Sequence, residues 1–126
     1  MIDIQKQIAY WRIGAAEEWE LATHLLDEDR VRHGLFLLHL TIEKAIKAHV
    51  CKKMEGMPPK SHNLLRLAEL AGISLSREDG DFLGELSLFN IEGRYPDFYG
   101  ALPPPADVRR IRQETERIYL WLLNQL

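Results

Sequence analysis

The stretch that decides the fold is residues 35–50, LFLLHLTIEKAIKAHV. When this stretch is drawn as an α-helix, apolar side chains surround most of its circumference. Such a helix is buried on nearly all sides, so it belongs at the centre of a helical bundle. We expect it to run from about Val31 to Met54, because Gly56 supplies a C-terminal cap and Pro58 and Pro59 cannot continue the hydrogen-bond ladder.

The segment before the central helix also shows helical periodicity. Apolar residues recur every three or four positions and define one face of a helix from about Asp3 to Asp27. This face consists of Ile4, Ile8, Trp11, Ala15, Trp19, Ala22 and Leu26.

Three further helices are predicted downstream. Residues 61–63 offer capping side chains before a short helix that Gly72 closes. Ser76, with Asp79 three residues later, marks the start of a fourth helix. The apolar face of that helix is Phe82, Leu83, Leu86 and Phe89. The last helix begins near Pro105 or Ala106, since proline suits a first turn, and continues to the C-terminus.

Residues 93–105, GRYPDFYGALPPP, connect the last two helices. Proline and glycine exclude a helix here, and the aromatic residues favour a loop packed down on the bundle. The chain is therefore predicted to be one all-α domain over residues 1–126, an antiparallel bundle of four to five helices.

Composition excludes several classes of function. With 16 basic and 19 acidic residues the net charge is -3, so any nucleic-acid contact must come from a local patch. The single cysteine, Cys51, cannot form an intramolecular disulfide, which favours a reducing, cytoplasmic location, and we expect a buried thiol. No apolar run approaches the ~20 residues of a membrane span. Glycine-rich phosphate loops, nucleophile elbows and zinc spacings are absent, so no metal or cofactor is predicted.

The central helix carries one polar strip. His39, Glu43 and Lys47 follow each other at intervals of four residues. Arg32 lies seven residues before His39, so all four fall within about a quarter of the helix circumference, and Lys44 borders them. Two interpretations remain open: an exposed seam with a Glu43–Lys47 ion pair, or the floor of a groove where cations and a histidine meet a phosphate.

Three separated motifs resemble the signature of HEPN domains. The first is FLLHLTIEKAIKA at residues 36–48, the second is Pro58-Pro59 followed by SHNL at residues 61–64, and the third is Asn90 followed by RYPD at residues 94–97. Their order and spacing extend the resemblance over nearly the whole chain.

The resemblance to HEPN proteins implies a bundle of four to five helices, similar to the substrate-binding helical domains of nucleotidyltransferases. It also implies a homodimer, made alongside a separate minimal nucleotidyltransferase as a toxin–antitoxin module. The ligand implied for the chain is a nucleotide or an RNA. The residues assigned to that ligand are Glu43, Lys44, Lys47, Arg94, Tyr95 and Asp97. In the alternative structural interpretation, Tyr95 and Phe98 plug the end of the core while Arg94 pairs with Glu43 or Asp97.

Many HEPN proteins are metal-independent ribonucleases with an arginine and a later histidine that are separated by four to six intervening residues. In this chain only Arg32 and His39 fit that spacing, and they lie on the central helix instead of a late helix. A ribonuclease toxin using Arg32, His39 or His62 is therefore the alternative function. A purely structural oligomerisation module is the second alternative.

Overall fold

The computed structural model describes residues 2–92 and 94–126, apart from the side chain of Phe98. Five α-helices follow one another: α1 (Ile4–Asp27), α2 (Val31–Met54), α3 (Leu64–Leu70), α4 (Arg77–Ser87) and α5 (Pro105–Leu123). A 3₁₀ turn covers Pro96–Phe98. The described residues contain no strand, which confirms the predicted all-α class.

Helix α2 lies at the centre and packs against each of the other four helices, most extensively against α1. Four of its large apolar side chains, Leu35, Leu38, Ile42 and Ile46, are fully buried or nearly so. Because residues 28–30 alone separate α1 from α2, the two long helices form an antiparallel hairpin. None of the described helices is long and apolar enough to cross a membrane.

Cys51 lies on the last turns of α2 and is fully buried, as expected from the sequence. Removal from water disfavours the thiolate, so burial raises the pKa of the Cys51 thiol. The side chain therefore acts as a small apolar residue of the core.

Side-chain caps fix three helix starts. Asp3, Asn63 and Ser76 each accept a hydrogen bond from the backbone N–H three residues later. At the end of α2 the prediction was wrong in detail, because Glu55, not Gly56, adopts the left-handed conformation, with φ 53°. Both assignments stop the helix at the same place.

The loop after α4 was expected to pack down, and for Tyr95 this was wrong. Tyr95 is 76% exposed, and its neighbours Pro96 and Asp97 are exposed as well. The segment is instead tied to α2 through Arg32, whose guanidinium donates to the carbonyl oxygens of Tyr99 and Gly100. Hydrogen bonds from Arg32 to the backbone therefore hold this segment on the bundle, and packing of the Tyr95 ring does not. Gly93, the first residue of the predicted loop, lies outside the described residues, and so does the Phe98 side chain.

Helices α1 and α2 approach each other closely at Gly34. A Cβ atom placed on Gly34 would lie 2.6 Å from Leu26 Cδ2 and 2.7 Å from Leu26 Cγ. Such distances are too short for carbon atoms, so the absence of a side chain at Gly34 sets the spacing of the two helices.

We predict that Gly34→Ala lowers the free energy of unfolding by about 1–3 kcal/mol, because the added methyl group overpacks the interface with Leu26. Gly84→Ala, in the middle of α4, is the matched control, since a Cβ there meets nothing within 4 Å. It should raise the free energy of unfolding by about 0.5–1 kcal/mol through helix propensity alone. Urea unfolding of both variants measures the difference. Equal effects at the two positions would contradict the close approach at Gly34.

Candidate functional site

The polar strip of α2 forms a buried cluster that contains His39, Glu43 and Lys47, together with His62. Lys47 Nζ lies 3.1 Å from Glu43 Oε2, and the two side chains are only 6% and 4% exposed. The ion pair expected from the spacing therefore exists, but the expected surface seam was wrong. The polar strip does not form the floor of an open groove either, because neither the Glu43 carboxylate nor the Lys47 ammonium faces solvent.

His62 joins the buried cluster from the connection between α2 and α3. Its Nδ1 lies 3.0 Å and 3.2 Å from the two carboxylate oxygens of Glu43. Its Nε2 lies 3.5 Å from Glu92 Oε2, in the segment that follows α4. His62 thus links two connections of the bundle to a carboxylate inside it.

His39 is fully buried within the cluster. Its Nε2 lies 3.3 Å from the carbonyl oxygen of His62, whereas its Nδ1 has no hydrogen-bond partner and is 3.9 Å from Glu43 Oε1. Burial lowers the pKa of His39 by desolvation, and the nearby Glu43 carboxylate opposes the shift only in part. The ring is therefore neutral at neutral pH and has no contact with solvent.

Helix α1 covers the other side of the cluster. Lys47 Nζ lies 5.1 Å from the centroid of the Trp11 ring, within cation–π range. Lys44 takes a different partner, because its Nζ is 2.7 Å from Glu18 Oε1 on α1. Lys44 therefore belongs to the hairpin interface and not to the buried cluster.

A second group of charges lines a cavity of about 350 Å³, here called the arginine pocket. Arg32 and Arg94 supply its cationic groups. Apolar and aromatic side chains form another part of its wall: Leu88, Phe89, Ile91, Tyr99 and Leu102. Glu85 also lines the pocket, but its carboxylate is held by Arg110 through two bonds of 3.0 and 2.7 Å.

Arg32 is held rigidly at the arginine pocket. Its guanidinium donates to Tyr99 O at 3.2 Å and to Gly100 O at 2.9 Å, and its Cζ lies 5.2 Å from the Tyr99 ring centroid. Arg94 Nη1 lies 3.5 Å from the carbonyl oxygen of Leu88. Within residues 2–92 and 94–126, neither arginine forms an ion pair with a carboxylate, so both positive charges remain available.

The structure thus divides the residues predicted to form one site. His39, His62, Glu43 and Lys47 lie together in the buried cluster, whereas Arg32 and Arg94 share the arginine pocket. The described side chains show no contact of Arg94 with Glu43 or Asp97, so the pairing considered from the sequence does not form there.

Three of the predicted ligand-binding residues belong to neither group: Lys44, which pairs with Glu18 in the hairpin interface, Tyr95 and Asp97. Tyr95 and Asp97 stand exposed at the 3₁₀ turn. Sequence reasoning missed Glu92 and the covering role of Trp11. The periodicity of α1 signalled that Trp11 faces the bundle, but no pattern singled out Glu92.

These features define the protein as an all-helical bundle whose central helix carries charged side chains in the interior of the bundle. A family model for the HEPN domain matches residues 8–126, nearly the whole chain. The chain therefore belongs to the HEPN family, which confirms the resemblance seen in its motifs. No curated protein and no solved structure shows significant similarity to it.

We predict that Glu43→Leu destabilises the protein by about 3–5 kcal/mol, because Lys47 is left as an uncompensated buried cation. The double variant Glu43→Leu/Lys47→Met should recover most of that loss, since paired removal of buried charges is often neutral or stabilising. Chemical denaturation of both variants gives the comparison. A single variant as stable as the double variant would show that Lys47 reaches water and needs no partner.

We predict that His39→Gln flattens the stability profile in acid. Because the folded-state pKa of His39 lies below its ordinary value of 6.5, the unfolded chain binds the proton more readily. Stability is therefore unaffected above about pH 6.5 and falls as the pH drops below it, until the folded-state pKa is passed. The glutamine amide can keep the bond to His62 O without titrating.

Urea unfolding at pH 5, 6, 7 and 8 measures this effect. Some acid sensitivity should remain in His39→Gln, because burial also lowers the pKa of His49. His33→Gln, at an exposed position of α2, controls for the loss of one histidine. An unchanged slope below pH 6.5 in His39→Gln would contradict the buried, neutral state of this ring.

Proposed function

We propose that this HEPN protein is a binding module that holds the phosphate of a nucleotide or an RNA in the arginine pocket. In this proposal it acts as the partner of a separate minimal nucleotidyltransferase, within a cytoplasmic module of the toxin–antitoxin type. One observation carries the proposal. Arg32 and Arg94 line the same cavity, and neither is paired with a carboxylate among the described residues.

The chemistry of the arginine pocket suits a phosphorylated ligand with an apolar part. Guanidinium groups present a planar fork of donors that matches phosphate oxygens. The carbonyl oxygens of Tyr99 and Gly100 already fix Arg32, so binding costs little additional side-chain ordering. The apolar walls and the Tyr99 ring provide surface for a base or ribose, and about 350 Å³ accommodates a small ligand.

The buried cluster has a supporting role in this proposal. Glu43 and Lys47 neutralise each other inside the bundle, and Lys44 is neutralised by Glu18. Their charges are therefore not offered to a ligand in this conformation. Tyr95 and Asp97 are exposed, and they follow Arg94 closely in the sequence. We propose that they contact the ligand or the partner at the mouth of the pocket.

Homodimer formation is part of the same proposal and has support from the outer face of α1. Tyr10, Ile13 and Leu21 are large, exposed apolar residues that lie on one side of that helix. A purely structural oligomerisation module would use the same face, but it would leave the charge of Arg94, which has no carboxylate partner among the described residues, unexplained.

The ribonuclease alternative has less support from the positions of its residues. His39 is fully buried, and Arg32 lines the arginine pocket, which neither candidate histidine lines. Of the two candidate histidines, only His62, with a side chain 40% exposed, remains accessible to a substrate. Its Nδ1 is already engaged by Glu43.

We predict that Arg94→Ala weakens the binding of AMP or a 5′-phosphorylated RNA oligonucleotide by about tenfold or more, the loss expected for a hydrogen bond to a charged group. Arg32→Ala should have an equal or larger effect. Arg66→Ala is the matched control, because Arg66 is an exposed arginine on α3 whose partner is Glu69. Isothermal titration calorimetry gives the affinities.

Thermal unfolding separates lost binding from lost stability, which matters for Arg32 because it anchors the Tyr99–Gly100 backbone. Wild-type affinity in both Arg32→Ala and Arg94→Ala would refute the arginine pocket as the site. Co-expression with a minimal nucleotidyltransferase from the same genome, followed by size-exclusion chromatography, tests the partner. Separate elution of the two proteins at micromolar concentration would refute that part of the proposal.

A further inference from the structure

A second cavity, of about 520 Å³, lies at the opposite end of α2 from the arginine pocket. We call it the lysine–tryptophan pocket. At 1.5 Å per residue, Lys52 is about 30 Å along the helix from Arg32, so the two cavities are separate. The side chains of this pocket come from the last turns of α2, the last turn of α5 and the residues that follow α5: His49, Lys52, Lys53, Trp121 and Gln125. Residues 71–74, which follow α3, complete the wall.

The two lysines give this pocket its positive charge. Lys52 Nζ lies 3.3 Å from the carbonyl oxygen of Gln125, a neutral acceptor. The Lys53 stem passes Gly72, where a Cβ atom would lie 3.4 Å from Lys53 Cε. No carboxylate lies within ion-pair distance of either lysine in the part of the chain that the structure describes. Both ammonium groups can therefore meet an anion from solvent.

Trp121 adds an aromatic surface beside these charges. Its side chain lines the cavity and is 38% exposed, so the ring is accessible from solvent. Indole rings are good stacking platforms for nucleic-acid bases, and this contact tolerates any base. The ring and the ammonium groups together match a ligand with a planar part and an anionic part.

His49 supplies a hydrogen-bonding group at the base of the pocket. It is 8% exposed, and its Nε2 lies 2.8 Å from the carbonyl oxygen of Leu122. Desolvation lowers the pKa of His49, and Lys52 lowers it further, so the ring is neutral and donates through Nε2–H. Nδ1 is then a hydrogen-bond acceptor, suited to an amino or imino group of a base.

We propose that the lysine–tryptophan pocket binds a nucleotide unit, with the base stacked on Trp121 and the phosphate between Lys52 and Lys53. The unit is either a free nucleotide or part of single-stranded RNA, because both present the same chemistry to the pocket. This site does not depend on the arginine pocket. A phosphate ion as the ligand would leave the indole ring without a role. A nucleic-acid duplex would need a wide basic surface, which the net charge of -3 disfavours.

The test measures the binding of a fluorescein-labelled octa-adenylate RNA by fluorescence anisotropy in the Arg94→Ala background, where binding at the arginine pocket is weakened by about tenfold or more. Trp121→Ala should weaken binding by about tenfold, whereas Trp121→Phe should stay within about threefold of the parent because phenylalanine also stacks. Lys52→Ala/Lys53→Ala should weaken binding by tenfold or more. Leu120→Ala is the control, because Leu120 is exposed on the same helix but does not line the cavity.

Competition experiments identify the ligand class. Displacement of the RNA by AMP would support a pocket for single nucleotides, and RNA binding that AMP cannot displace would support a strand site. Inorganic pyrophosphate should compete at least tenfold less well than AMP, because it lacks a base. Competition by pyrophosphate or by a glutamate-rich peptide that equals competition by AMP would overturn the proposal. Lys52 and Lys53 would then only stabilise the C-terminal end of α2. Unchanged binding in Trp121→Ala, or no RNA binding in the Arg94→Ala background, would overturn it as well.

Discussion

The Glu43 carboxylate, buried inside the bundle, is the constraint on which much of the structure depends. A carboxylate out of water is costly unless it is matched by a cation and hydrogen bonds. Lys47 matches it from the same helix, and His62 reaches it from the α2–α3 connection. Trp11 of α1 lies over the Lys47 ammonium. The groups that satisfy this one carboxylate therefore also position α1 and the α2–α3 connection. These requirements favour one arrangement of the elements around α2.

Much of the fold followed from local patterns in the sequence. The bounds of α2 were predictable because residues 35–50 are apolar on nearly all sides and proline follows closely. The capping of α4 by Ser76 was predictable because a side chain and a backbone N–H three residues apart form that bond without help from other elements. Each of these features depends on neighbours within one or two turns.

The candidate site was less predictable because it depends on contacts between distant parts of the chain. Spacing placed Glu43 and Lys47 on one face of α2, but their burial results from Trp11 and His62, which lie far away in sequence. The composition of residues 93–105 suggested packed aromatic rings, whereas Arg32 anchors the backbone there and Tyr95 remains exposed. The partner chosen by Arg94 depends on the path of that segment, which no short-range rule fixes.

The burial of Cys51 makes the protein its own reporter of motion at one end of the bundle. It is the only thiol in the chain, and it lies on α2 with no exposed surface. A thiol-specific reagent can reach it only after the last turns of that helix separate from their neighbours. The rate of alkylation under native conditions therefore measures how often this end of the bundle opens, without any introduced probe. Ligands that hold the end closed would slow the reaction, whereas ligands bound elsewhere would affect it only through the stability of the whole domain.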